Sequence, residues 1–167
     1  MHTWAQPGQE TRQTERTPSK KETDKAIACY GALCYQTKRR YLYFADGQPN
    51  TDFTIAMLRR LLAVAKELGK SVLAVIWDRA SWHQSHQLKR WIRAHNRSAK
   101  ANQSVRLLTC LLPVKSPWLN PIEPVWLHAK RNIDEPDGPL NLDQLKTRLC
   151  DYFNVSLPDA SLKLSDA

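Results

Sequence analysis

At 167 residues the chain fits one domain with a core of its own, and 42% hydrophobic residues with six Trp exclude wholesale disorder. No apolar run is long enough to cross a bilayer and no signal-peptide pattern follows Met1, so the expectation is a soluble, cytoplasmic protein with no membrane partner. A net charge of +9 and a pI near 9.6 point to a polyanion partner, since phosphate neutralisation releases counterions; a basic surface without a partner is the alternative.

Residues 1–25 hold Thr, Gln, Glu and Lys and almost nothing apolar after Trp4, which predicts a flexible lead-in. Residues 26–35 (AIACYGALCY) and 40–44 flank a polar turn at 36–39, the pattern of a β-hairpin. Within it Gly31 serves either a close backbone approach or a bulge. Asp46, Gly47, Pro49 and Asn50 make the next turn. Met57, Leu58, Leu61, Leu62, Ala65 and Leu68 then recur at helical spacing until Gly69. This predicts a helix from residue 50 or 51 to 68, covering one sheet face, with Arg59, Arg60 and Lys66 on its solvated side.

The run at 72–77 (VLAVIW) has no polar face and is too short for a surface helix, so it reads as a strand buried on both sides. It ends on Asp78, at the carboxyl end of a strand, where open α/β sheets place ligand and catalytic groups. Residues 84–98 carry Leu88, Trp91, Ile92 and His95 on one side and Lys89, Arg90, Arg93 and Arg97 elsewhere. This is a basic amphipathic helix, whose charged face is either solvated or holds a nucleic-acid backbone without reading sequence. Polar residues 96–104 read as a loop, and 105–112 (VRLLTCLL), closed by Pro113, as another strand.

From 120 to 133, Ile122, Val125, Trp126, Ala129 and Ile133 form one helical stripe, with Glu123 in the first turn. Residues 134–139 (DEPDGP) break the chain. Leu142, Leu145, Leu149 and Phe153 mark a last helix over 141–153, and the tail beyond Asn154 is expected to fray. Of the four Cys, Cys29 and Cys34 lie an odd number of positions apart, so a strand turns them to opposite faces. Cys110 and Cys150 have no close partner in sequence, and all four read as reduced, packed thiols.

Asp78 and Glu123 suit a hard divalent cation, because Mg²⁺ takes oxygen ligands and keeps water or phosphate in its other positions. A structural reading stands beside this one. Asn120, Pro121 and Glu123 also spell a helix start with a capping box, and Asp78 can cap the helix after it. Spacing leaves both open.

The blocks WDRASWH and LPVKSPWLNPIEPVWLHAKR resemble the last two acidic blocks of DDE transposases of bacterial insertion sequences, in the mariner-like group. The matching positions are Asp78, His83, Leu112, Pro113, Ser116, Pro117, residues 119–123, Trp126 and Lys130. The resemblance implies an α/β, ribonuclease H-like fold and metal-dependent DNA cleavage and strand transfer. It makes Asp78 and Glu123 catalytic carboxylates and metal ligands for Mg²⁺, with Mn²⁺ as a substitute. DNA, as transposon ends and target, becomes the partner, with candidate contacts at Arg79, His83, Lys89, Arg90, Arg93, Lys115, Trp118, Lys130 and Arg131; His83 is otherwise a locally bonded polar residue at a helix start, Lys130 and Arg131 otherwise complement a helix C-terminus, and a homodimer is allowed. Where the family has Asn after the strand acid this chain has Arg79, a cation that either competes with the metal or reaches a phosphate. Trp118 either stacks on a base or caps the core, and Trp126 is assigned to packing.

In that family the first catalytic Asp lies on an opening strand, upstream of a block that residues 3–8 (TWAQPG) resemble. No apolar run here carries such an Asp, since Glu10, Glu15, Glu22 and Asp24 lie in polar sequence. The expected organisation is therefore a lead-in at 1–25, a partial catalytic domain at 26–135 without its first strand, and a C-terminal helix and tail at 136–167. Such a chain is expected not to cleave DNA alone; a noncatalytic DNA-binding remnant of a transposase is the other reading.

Overall fold

The computed structural model describes residues 27–133, 141–156 and 161–162. The lead-in at 1–25 and the break at 134–139 lie outside the described residues. Elsewhere the fold is mixed α/β, with small sheets flanked by helices, compatible with a ribonuclease H-like architecture.

The hairpin forms as its turn residues dictate. Strands β1 (Ile27–Leu33) and β2 (Arg40–Asp46) pair antiparallel, from Ile27 opposite Asp46 to Leu33 opposite Arg40. Lys38 takes a positive φ of 58° in the turn between them, and Cys34 N donates to Arg39 O. Helix α1 (Thr51–Glu67) starts where the Asn50 side chain accepts from Phe53 N. It stops at Gly69, whose φ of 66° lets Gly69 N reach Lys66 O and Lys70 N reach Ala65 O, closing two carbonyls the helix leaves open.

Strands β3 (Val72–Trp77) and β4 (Arg106–Leu111) pair parallel in register, Trp77 opposite Leu111, so both end at one place. The connection between them is the short helix α2 (Ser81–Gln84) followed by α3 (His86–Ala101). Helix α3 runs through part of the segment read as a loop at 96–104. Nothing in 96–101 breaks a helix, and Ala99 is buried against the core, so the turn comes only at Gln103, with φ 50°.

Alternation on β2 divides the core in two. Tyr43 and Ala45 face α1, joining Ala28, Tyr30, Leu58, Leu62, Trp77, Leu88 and Leu107 in one cluster. Leu42 and Phe44 face the other way, toward α4 (Glu123–Ile133) and α5 (Leu142–Phe153), with Ala129, Ile133, Leu149 and Phe153. Leu58 and Leu88 are fully buried in the first cluster; each contributes roughly 1.5–3 kcal/mol by leaving water.

The strand covered on both sides is therefore β2, not β3. Leu73, Val75 and Trp77 of β3 face the core, while Ile76 is 60% exposed and Leu108 beside its sheet face is 58% exposed. Helices α4 and α5 cover the β1–β2 sheet instead, which leaves that face bare among the described residues. The unbroken apolar run was thus a poor guide to double burial.

The end of the chain also differs from expectation. Leu162 is buried and its N–H donates to Phe44 O, so residues 161–162 bridge to the free side of β2 rather than fraying. The thiols divide by position. Burial pushes Cys29 up to about 12 and raises Cys150, whereas a hydrogen bond from Thr37 lowers Cys34, and Cys110 is exposed. Packing thus describes Cys29 and Cys150 but not Cys34 and Cys110.

Candidate active site

The parallel pair determines where the acids go. Because Trp77 and Leu111 are partners, the residues that follow them, Asp78 and Leu112, leave the sheet side by side, and Leu112 N donates to Trp77 O. The loop after Leu112 carries a 3₁₀ turn at Pro117–Leu119 and delivers Glu123 as the first residue of α4. One pocket of about 220 Å³ is lined by Asp78, Arg79, Lys115, Ser116, Asn120 and Glu123, among others. Two carboxylates that are distant in sequence share this cleft at the carboxyl ends of two parallel strands.

Each carboxylate is anchored through one oxygen. Asp78 Oδ1 accepts from Ala80 N at 3.0 Å and lies 2.8 Å from His83 Nδ1, and its side chain is 63% exposed. Glu123 Oε1 accepts from Asn120 Nδ2 at 3.4 Å. Among the described residues, Asp78 Oδ2 and Glu123 Oε2 have no hydrogen-bond partner. The local structural role and the metal-ligand role are therefore compatible, because they use different oxygens.

The capping box expected at 120–123 does not form in the usual sense. Helix α4 begins at Glu123, and Asn120 accepts Glu123 N through its backbone carbonyl while its side-chain amide donates to the Glu123 carboxylate.

His83 is held on two sides. Its ring stacks on Trp77, with centroids 4.5 Å apart and planes within 6°, and only 14% of its side chain is exposed. With Asp78 ionised its oxygens only accept, so Nδ1 carries the hydrogen. The His83 ring therefore lies between Trp77 and the Asp78 carboxylate, with little of it exposed. Arg79 Nε donates to Leu112 O at 3.0 Å, tying the loops after β3 and β4 together, and Arg79 makes no ion pair with Asp78 among the described residues.

Of the other positions singled out in the sequence, Lys115 lines the pocket, with φ 54°. Trp118 beside it is 75% exposed and does not cap the core. Lys130 and Arg131 are exposed in the last turn of α4, and Lys89, Arg90 and Arg93 are exposed on α3, away from the residues that line the pocket. Trp126 packs as expected, against Phe153 at 5.4 Å and over Gly31.

Sequence reading missed Asn96. Its side chain donates to Leu107 O at 2.8 Å and accepts from Leu107 N at 2.7 Å, completing the outer edge of β4. The signal was present, since Asn96 falls at the next position of the stripe formed by Leu88 and Ile92.

The donor set is two hard carboxylates with the polar oxygens of Ser116 and Asn120, which fits a Mg²⁺ ion bound mainly through water and phosphate. Among the described residues no group of three or more His, Cys, Asp and Glu side chains is arranged to hold a metal.

A family model described as DDE superfamily endonuclease matches residues 1–146. Comparison with curated proteins and with solved structures gives no match.

Proposed function

The chain belongs to the DDE superfamily endonuclease family, and from that membership we propose that Asp78 and Glu123 are metal ligands of a phosphodiester-cleaving centre used in DNA transposition. The observation that carries this reading is the shared pocket, with one oxygen of each carboxylate unpartnered among the described residues. A Mg²⁺ or Mn²⁺ ion bound there would supply Lewis-acid stabilisation of phosphate oxygens and an activated water. The chain's own residues do the positioning. His83 and Ala80 N fix Asp78, Asn120 steadies Glu123, and Arg79 holds the two loops at one separation. Lys115 lines the pocket and Trp118, next to the lining residue Pro117, is exposed, so a phosphate and an unpaired base would meet a cation and an aromatic face.

The finer assignment is a transposase of the mariner-like group, from a bacterial insertion sequence and acting at the nucleoid. It rests on residues 112–126 and on the WDRASWH block. Among the described residues two carboxylates line the pocket, fewer than the family's three, so the isolated chain is proposed to bind metal weakly and not to cleave. Purified chain incubated with supercoiled plasmid and Mg²⁺ or Mn²⁺ is expected to give no nicking. Mn²⁺ titration followed by electron paramagnetic resonance should show a weak site that disappears in Asp78→Ala and in Glu123→Ala. Equal Mn²⁺ binding by the two variants and the parent chain would remove the pocket from the proposal, and robust nicking abolished by Asp78→Ala would overturn the inactivity.

A further inference from the structure

Continuation of α3 to Ala101 changes what its surface carries. The helix HQLKRWIRAHNRSAKA contains no Asp or Glu. At 3.6 residues per turn, Lys89, Arg90, Arg93, Arg97 and Lys100 fall within a sector of about 100°. All five are exposed, and among the described residues none of them makes an ion pair. The opposite side is fixed to the core by Leu88 and Ala99, by Trp91 stacked on His95 at 5.4 Å, and by the Asn96 pairing with Leu107. This helix therefore presents its cations as a rigid row and has no apolar face left to insert into a membrane.

From Lys89 to Lys100 the row is roughly 16 Å long at 1.5 Å per residue. Duplex DNA carries a phosphate about every 3.4 Å of axis on each strand. A duplex laid along the helix carries about five phosphates per strand over that length of axis, and those on its near side would meet a row of opposite sign. The row holds Lys and Arg, whose charges suit phosphates, and no Asn or Gln in the sector to pair with an adenine edge.

We propose that the outer face of α3 is a second nucleic-acid surface, distinct from the Asp78–Glu123 pocket, that holds duplex DNA by its backbone without reading sequence. It begins just after α2, on the connection that leaves Asp78, and follows the outside of the β4 side of the molecule, so it would carry duplex away from the cleft. The proposal rests on the reading that DNA is the substrate, yet it needs neither metal nor cleavage.

The test is fluorescence anisotropy of a labelled random-sequence duplex with the full chain in EDTA, over a salt series. The parent chain is expected to bind with a steep negative slope of log K against log salt. Lys89→Gln, Arg93→Gln, Arg97→Gln and Lys100→Gln combined should make the slope shallower by about 3 and weaken low-salt binding more than about 10-fold. Circular dichroism reports whether the combined variant keeps its helix; if it does not, the doublets Lys89→Gln/Lys100→Gln and Arg93→Gln/Arg97→Gln each carry about half the effect. A folded variant with an unchanged slope would overturn the α3 surface while leaving the pocket reading standing. Failure of the parent chain to bind duplex at low salt would overturn it as well, and the Mn²⁺ titration would still judge the pocket. Displacement of DNA by poly-glutamate as readily as by unlabelled duplex would reassign the face to an acidic protein.

Discussion

His83 connects the hydrophobic core to the site through one ring, lying flat on buried Trp77 while its Nδ1 reaches Asp78. A group that orients a metal ligand typically changes affinity by 10–100-fold when removed, because the ligand then samples unproductive rotamers. His83→Ala should therefore weaken Mn²⁺ binding by about 10-fold or more, whereas His83→Asn, which keeps a donor, should recover part of it. The measurement is the Mn²⁺ titration, with thermal unfolding run beside it. A loss of stability with unchanged Mn²⁺ affinity would make His83 a packing residue only. Asp78 was visible in sequence through its place at the end of a strand. His83 was singled out with it by the motif, but its contact with Asp78 was not legible, because only the α2 turn brings the ring back under Trp77.

At the level of elements, Gly31 links the hairpin to the site. A Cβ built there would overlap the Trp126 indole and sit 3.0 Å from Ile122 Cδ1. The close approach foreseen at this glycine is thus made by a side chain from α4, not by another backbone. Since Trp126 and Glu123 are three residues apart on α4, the seat at Gly31 also fixes where the carboxylate enters the pocket. Gly31→Ala should cost about 1–3 kcal/mol by overpacking, read from urea unfolding midpoints. Trp126→Leu added to it should restore part of that loss, whereas additive losses would show that the two positions do not touch. Helices α1 and α5 were legible because their ends are written locally, as Asn50 and Gly69 for one and Asn141 with Gln144 for the other. The end of α3 was not, since polarity alone suggested a loop while Ala99 and Asn96 were facing the core.

Among the described residues, helices lie over both faces of the hairpin but over one face of the parallel pair. Sequence hydrophobicity gave the existence and order of all four strands, yet not this asymmetry, which depends on where α4 and α5 settle. Ile76→Lys should therefore change stability by no more than about 0.5 kcal/mol, as at an exposed site, while Val75→Lys, facing the core, should cost several times more. Similar large losses for both substitutions, read from urea unfolding, would mean that the open face is covered in solution. The site itself was half legible. Motif and strand ends gave Asp78 and Glu123, but the division of each carboxylate into a tethered and a free oxygen arises from Ala80, His83 and Asn120 in three dimensions.

Asn96 offers Leu107 the donor and acceptor that a neighbouring strand would have offered, and residues 161–162 do the same service at Phe44. The outer edges of β4 and β2 are plugged at these points by the chain itself, while β1 and β3 have no strand on their other edge among the described residues. Adjacent molecules accordingly find no long ladder along β2 or β4 on which to stitch their own ribbons.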